Sequence, residues 1–231
     1  MIINWGDAPF KAFITVTYPS GTCTVSLGNK SFTHSGGGTH TFTVNKKGTW
    51  TVTGTDGNGV DTSQNVVISK QQETKTVTLK YVLYIVNGAV LHSACGGIAR
   101  QGVVTNKYEE AWTPTVTTGS GYTKITNGSG WQSGGYPAGV AYTSNAIDLA
   151  GYNRLIISAS VTYGRDNSKI YSGVLSSKPT SSSCNFSVSH GPSWGSGATL
   201  DISNLNGKFH ICLMRGYSPG SITINNMRIE S

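Results

Sequence analysis

Short runs that alternate β-branched or aromatic residues with threonine, each ended by a glycine-rich turn, constrain the fold of this chain most strongly. KAFITVTY at residues 11–18 ends at a Pro-Ser-Gly turn, and GTWTVTGTDGNG at residues 48–59 passes from such a run into glycine and asparagine. A two-residue period is typical of strands, and no long window repeats apolar residues at the helical period. With 30 glycines and only 12% charged residues, the sequence predicts an all-β protein with many turns.

Residues 11–81 carry about six such runs, at the spacing expected of a small β-sandwich. The alternation directs Cys23, Phe42 and Val52 toward the core, and we assign Trp50 to the same core. The threonines around Trp50 then face solvent, where a branched Cβ suits the pleated surface.

A second module follows, and the pattern allows its start to fall anywhere from Leu79 to Glu110. We interpret residues 82–110 as a junction and first hairpin, turned by the Asn-Gly dipeptide of YVLYIVNG. Residues 111–231 contain strong β segments and predict a larger sandwich, a jelly roll closed by the last strand. Residues 1–10 precede the first regular run and are predicted to form an N-terminal arm.

The charge balance limits the partners. The formal net charge is +7, which favours an anionic partner. Apart from Lys46-Lys47 there is no basic run, and none is interleaved with aromatic residues, so we predict no nucleic-acid binding. We also predict no membrane span, because no stretch is long and apolar enough. The first residues do not fit a Sec signal peptide.

No metal or cofactor is predicted. The four cysteines form no CxxC pair, and we interpret them as buried free thiols. Residues 56–61, DGNGVD, have the oxygens of a calcium loop but lack its distal acidic ligand, which favours a hairpin turn. His34 and His40 flank a triple glycine without a third ligand nearby, which predicts a solvated loop. The other histidines are expected to be hydrogen-bonded structural imidazoles: His92, His190 and His210.

No catalytic residues are predicted either. The chain has no GxSxG elbow and no cysteine signature with a matched histidine. Glycoside hydrolysis needs two carboxylates that face each other across a cleft. Glu109 and Glu110 are adjacent and would point to opposite faces of a strand, whereas the remaining candidates lie at expected strand ends: Asp148, Asp166 and Asp201. We therefore predict a protein that is not an enzyme.

Aromatic residues in glycine- and serine-rich tracts are the candidate ligand-binding residues. Trp131 and Tyr136 lie in TNGSGWQSGGYPAG, Trp194 lies in HGPSWGSG, and Tyr217 lies in RGYSPG. Flat rings on loops can stack on sugar rings, while nearby polar groups bind hydroxyls. The alternative is that these rings pack against the sandwich edges or against a neighbouring subunit.

The second module resembles the galactose-binding-type, carbohydrate-binding-like jelly rolls of tailed-phage virion proteins. The resemblance is carried by TNGSGW, by AIDLAGYNRLIIS and by the closing SITINNMRIES. The first module resembles the immunoglobulin-like or PEGA-like modules that accompany such jelly rolls in phages of Gram-positive gut bacteria, with GTWTVTGTDG as the shared signature.

This resemblance implies a virion protein, assembled in the host cytoplasm and therefore without an export signal, present in several copies or as a homo-oligomer beside other virion proteins. It would be displayed for assembly or for attachment to host cell-wall polysaccharide. Two alternatives stay open: a capsid decoration or tail appendage protein that docks through residues 1–10 and binds no glycan, and a bacterial carbohydrate-binding module.

Overall fold

A computed structural model describes residues 9–104, 110–127, 137–163, 170–191, 197–216 and 220–231. The chain divides into two compact units, Met1–Tyr81 and Val82–Ser231. Both units consist of β-strands packed as sandwiches. The prediction of an all-β chain, with an immunoglobulin-like sandwich followed by a jelly-roll sandwich, is confirmed.

The described residues of unit 1 form seven strands in two sheets. One sheet has the order β4-β1-β7, and the other has the order β3-β2-β5-β6. The strands are β1 (Ala12–Tyr18), β2 (Cys23–Leu27), β3 (Lys30–His34), β4 (Gly38–Val44), β5 (Gly48–Asp56), β6 (Asp61–Ile68) and β7 (Thr74–Thr78).

The two-residue alternation of the sequence builds the core of unit 1. Along β1 every second residue is buried, from Ala12 to Tyr18, and the threonines of β5 are exposed as predicted. β1 pairs antiparallel with β4 and parallel with β7. Within this sandwich β3 pairs with β2, whereas the third strand of an immunoglobulin domain lies in the opposite sheet.

The sequence pattern missed one strand of unit 1. We expected about six strands, but residues 30–34 form β3, in which no side chain is buried. KSFTH lacks the apolar alternation that marks a half-buried strand, because β3 is an edge strand held by its pairing with β2.

In unit 2, the part of the chain that the structure describes forms two sheets of seven strands each. The main path of one is β10-β14-β20-β17-β18, and that of the other is β12-β13-β21-β16-β19. The strands are β8 (Val82–Asn87), β9 (Val90–Leu91), β10 (Ile98–Gly102), β11 (Glu110–Ala111), β12 (Thr115–Gly119), β13 (Tyr122–Asn127), β14 (Pro137–Thr143), β15 (Ile147–Asp148), β16 (Arg154–Tyr163), β17 (Ile170–Leu175), β18 (Phe186–His190), β19 (Gly197–Asp201), β20 (Lys208–Gly216) and β21 (Gly220–Glu230), with one 3-10 turn at Ser93–Cys95.

The last strand organises the second of these sheets. β21 pairs with β16 along one edge, and its other edge pairs first with β13 and then with β8. β8 also forms the hairpin with β9, turned at Gly88 with a φ of 62°. The first and last strands of unit 2 are therefore neighbours.

The sheet that contains β20 has apolar contacts on both faces. A core cluster of Val103, Val140, Tyr142, Leu175 and Cys212 packs with Ala99, Cys184 and Phe186. Side chains alternate along a strand, so Cys212 lies on the opposite face of β20 from its buried neighbours Ile211 and Leu213. This sheet is therefore covered on both sides.

Candidate functional site

Three chain segments that connect the two sheets of unit 2 have the described strand ends on both sides at the same end of the sandwich, and a fourth begins near it. Gly220 pairs with both Asn127 and Tyr163, and Gly216 pairs with both Gly139 and Ile170. His190 pairs with a residue only two positions from Ile170, at Ser172. We call this end of unit 2 the connection end.

The predicted ligand-binding residues belong to these connections. Trp131, Tyr136, Trp194 and Tyr217 all lie outside the described residues. The described strand ends that flank the segments of Trp131, Tyr136 and Tyr217 belong to the connection end. On the segment of Trp194, His190 lies near this end, whereas Gly197 pairs with Ser158, five positions before Tyr163. The two-residue alternation of single strands cannot predict which strand ends are neighbours, because that depends on long-range strand pairing.

Trp112 is a described aromatic residue at the connection end. It is 39% exposed, and its backbone N–H donates to the carbonyl oxygen of Ala138 at 2.9 Å. A Cβ on Gly139 would lie 2.0 Å from the carbonyl oxygen of Trp112, so only glycine allows the chain to cross β14 there. Trp112 was not among the residues predicted from the sequence; its position in WTP, directly after a short strand, is the signal that could have found it.

A buried amide connects the two sheets at this end. Asn127, the last residue of β13, is fully buried, and its Nδ2 donates to the carbonyl oxygen of Gly216 at 2.9 Å. Gly216 is the last residue of β20, in the opposite sheet. This bond holds two strand ends in fixed positions, which gives the connections a rigid base.

His34 and His40 are not in a solvated loop as predicted. His34 ends β3 and His40 lies in β4, and their rings are 5.8 Å apart, centroid to centroid. The ring of Phe32 stacks on His40 at 4.3 Å, and Tyr18 Oη bonds His34 Nδ1 at 2.5 Å. Burial, together with the nearby His40, lowers the pKa of His34. The pattern misled because the two edge strands bring together rings that are separated in sequence.

The other histidines described hold local structure. His92 Nδ1 accepts a hydrogen bond from the N–H of Ala94 and caps the 3-10 turn. His210 is buried, with Nδ1 2.6 Å from the carbonyl oxygen of Thr143. In the parts of the chain that the structure covers, no three His, Cys, Asp or Glu side chains form a group that could hold a metal ion.

The DGNGVD segment forms the hairpin turn between β5 and β6. Asp56 Oδ1 accepts hydrogen bonds from the backbone N–H groups of Asn58 and Val60, at 2.9 and 2.7 Å. Gly59 has a φ of 77°, in the left-handed region that glycine favours. The carboxylate therefore closes its own turn.

Each carboxylate side chain that the structure describes has a local partner. Asp61 accepts from Thr55, Asp148 from the N–H of Ala150, and Asp201 from Ser203. Bonds from Ser203 lower the pKa of Asp201. Glu73 accepts from Ser69 and Lys70 and pairs with Lys75, which lowers its pKa to about 2. The remaining two are Asp56 in its turn and Glu230 in an arginine network; Asp166 and Glu109 lie outside the described residues.

All four cysteines are unpaired thiols, and three of them are buried as predicted. Cys23 Sγ lies 2.7 Å from Tyr81 Oη inside unit 1. Burial raises the pKa of Cys95 to about 12 and also raises the pKa of Cys184 and Cys212. Cys184 is half-buried, at the margin of the cluster that contains Cys212.

Comparisons with known proteins place the chain in no family. No family model and no curated protein matches it. One solved structure, from work on the structural basis for the promiscuous specificity of the carbohydrate-binding modules from the beta-sandwich super family, aligns with 96% of this chain and 98% of its own, at 11% identity and a TM-score of 0.37. So low a TM-score supports no conclusion about a ligand. None of the described residues forms a helix with the length and hydrophobicity that a bilayer crossing requires.

Proposed function

We propose that this chain is a non-catalytic component of a tailed-phage particle that attaches to host cell-wall polysaccharide through the connection end of unit 2. One observation supports the attachment: the described strand ends on both sides of the segments with Trp131, Tyr136 and Tyr217 lie at the connection end, and His190, before the segment with Trp194, lies near it. Aromatic rings on neighbouring loops of a rigid scaffold form the surface that sugar rings stack on.

The state of the carboxylates supports a non-catalytic role. General acid or base catalysis needs a carboxyl group that is free to take up or release a proton beside the substrate. Among the described carboxylates, Asp56 and Asp201 accept hydrogen bonds from nearby backbone N–H groups, and Glu73 and Glu230 pair with cations. Such groups contribute structure.

The phage context rests on the resemblance carried by TNGSGW, AIDLAGYNRLIIS and SITINNMRIES. Within it, the protein is a virion component that contacts other virion proteins and is present in several copies. Multiple copies convert weak sugar contacts into useful avidity. Free buried thiols agree with assembly in a reducing compartment.

The test compares two targets in parallel: cell-wall polysaccharide of a Gram-positive host, and virions that lack this protein. The variants are W112A and a quadruple alanine variant at positions 131, 136, 194 and 217, with F32A as the matched control, because Phe32 is a 43% exposed aromatic residue of unit 1. We expect both connection-end variants to lose at least about ten-fold in polysaccharide affinity, and F32A to bind as the wild type does.

Unchanged polysaccharide binding by the quadruple variant and by W112A would refute the assignment of the site. Binding to particles alone would identify a structural decoration or appendage protein. Deleting residues 1–10 should then abolish incorporation while the far-ultraviolet circular dichroism spectrum is preserved.

A further inference from the structure

Two exposed tyrosines lie on the solvent face of the sheet built around β21. Tyr122 begins β13 and is 37% exposed, and Tyr84 in β8 is 42% exposed. β13 and β8 pair with successive halves of the same edge of β21: Thr123 lies opposite Ile224, and Tyr84 lies opposite Arg228. At a rise of about 3.3 Å per residue, the two tyrosines stand about 10–13 Å apart along the sheet.

The Tyr122 ring is held in place by a glycine. Tyr122 pairs with Gly119 on β12, and a Cβ added to Gly119 would lie 2.3 Å from Tyr122 Cζ. The ring therefore lies across the backbone of the neighbouring strand, where only glycine leaves room for it, as in aromatic rescue of a strand glycine. One side of the ring is supported by the sheet, and the residue remains exposed to solvent.

An arginine is fixed on the same face, on β21 directly opposite Tyr84. Arg228 Nε donates to Glu230 Oε1 at 2.7 Å, and its Nη1 donates to Asn226 Oδ1 at 2.9 Å. Glu230 Oε2 in turn accepts from Arg154 Nη2 at 3.0 Å. A guanidinium has five N–H donors, so most of the Arg228 donors stay available to a ligand while the group is held in one orientation.

Stability alone does not account for this arrangement. Exposed ion pairs contribute little to the free energy of folding, and Arg154 has 58% of its side chain exposed. Rings and donors that are fixed before a ligand arrives reduce the entropy lost on binding. We call this surface the tyrosine platform: Tyr84, Tyr122, Asn226, Arg228 and Glu230.

The charge of the surface selects the kind of sugar. Arg154 and Arg228 share the single carboxylate of Glu230, which leaves one positive charge, and the whole chain carries +7. A guanidinium binds carboxylates with matched geometry. A polymer without rings would engage the arginine but leave both tyrosines without a stacking partner.

We propose that the tyrosine platform binds an acidic polysaccharide, a chain of sugar rings that carry carboxylate groups. Two sugar rings stack on Tyr84 and Tyr122, and a carboxylate beside Tyr84 accepts hydrogen bonds from Arg228. This site is separate from the connection end, and it rests on described residues alone.

The test titrates the full chain with an oligogalacturonate, with a neutral oligogalactan of equal length and with poly(glycerol phosphate), by calorimetry at two salt concentrations. The variants are Y84A, Y122A and R228K, and K208A is the matched control because Lys208 is an exposed cation of unit 2 outside the platform. We expect the oligogalacturonate to bind most tightly, and each platform variant to weaken it at least ten-fold. R228K keeps the charge, so its loss would report the planar geometry of the guanidinium.

Each other outcome overturns the proposal. Weaker binding by K208A together with normal binding by R228K would show attraction to net charge only. Equal binding of poly(glycerol phosphate) would rule out ring stacking, and equal binding of the neutral oligogalactan would rule out the role of the carboxylate. The quadruple variant of the connection end should bind oligogalacturonate normally, which separates failure of this proposal from failure of the proposed function. Thermal unfolding by circular dichroism verifies that each variant is folded.

Discussion

Replacing Gly54 by alanine tests the packing of unit 1 most directly. Gly54 lies in the middle of β5, opposite Val25 on one side and Thr62 on the other. A Cβ at this position would lie 2.5 Å from both Leu79 Cδ1 and Tyr81 Oη. Backbone pairing on both sides prevents the strand from moving away, so the two side chains must shift.

Two contributions set the expected loss in the free energy of unfolding. Overpacking a core commonly costs about 1–3 kcal/mol. Displacing Tyr81 Oη also breaks its 2.7 Å contact with Cys23 Sγ, which adds about 1 kcal/mol. We therefore expect Gly54→Ala to lower the free energy of unfolding of unit 1 by about 2–4 kcal/mol.

Pulsed alkylation in urea measures this loss locally, because Cys23 is the only cysteine in the first 81 residues. The midpoint for Cys23 exposure should fall by about 1–2 M urea. Gly36→Ala is the matched control, since no atom lies within 4 Å of the added Cβ. It should leave the midpoint within about 0.3 M, because a glycine replacement at a compatible site changes stability little.

A double variant tests whether the contact of the added Cβ with Tyr81 Oη causes this loss. Tyr81→Phe removes the oxygen that the new Cβ would meet, so it should cost about 1 kcal/mol in the wild type and at least about 0.5 kcal/mol less in the Gly54→Ala background. Additive effects, or a Gly54→Ala midpoint equal to that of Gly36→Ala, would refute the reasoning.

Three further outcomes follow from individual contacts. Glu73→Gln should lower the thermal midpoint at pH 7, and its difference from the wild type should shrink as the pH falls from about 4.5 to about 2. The pKa of Glu73 is lower in the folded protein than in the unfolded chain, so its stabilisation is present above pH 4.5 and is lost as the pH falls through about 2. A difference independent of pH would contradict this. Iodoacetamide should modify Cys184 before the other three thiols in the native protein, since it alone is half-buried, and peptide mass spectrometry detects the order; simultaneous modification of all four would contradict it. Thr143→Val should cost about 1–3 kcal/mol in urea unfolding, because the buried N–H of Ile211 loses its acceptor Thr143 Oγ1, whereas Thr117→Val on an exposed strand position is the control.

The fold was predictable where local pattern decides it. Alternation in KAFITVTY and TWTVTGT gave β1 and β5 with the correct inward faces, since a half-buried strand requires that pattern. It failed at β3, because the residues of an edge strand with no buried side chain carry no alternation. Local composition also assigned the DGNGVD turn, which Asp56 closes through its own neighbours.

The candidate sites were less predictable, because each depends on register between distant strands. Composition was enough to propose the candidate tryptophans and tyrosines. Which described strand ends meet at the connection end follows only from pairs such as Asn127 with Gly220. The tyrosine platform brings together residues from 84 to 230 in the chain. The contact of Tyr122 with Gly119 needs the register of a hairpin, which pattern does not fix to a single residue.

The central place of β21 has a consequence for the order of events during synthesis. Strands β8, β13 and β16 all pair with a strand that is synthesised after them. Unit 1 needs nothing beyond Tyr81, so it can fold while the rest of the chain is being made. Until residues 220–230 leave the exit tunnel, the second sheet of unit 2 lacks its central strand, β21. Its exposed strand edges can then pair with other chains. Unit 2 is therefore the part of the protein that depends on protection from aggregation during synthesis.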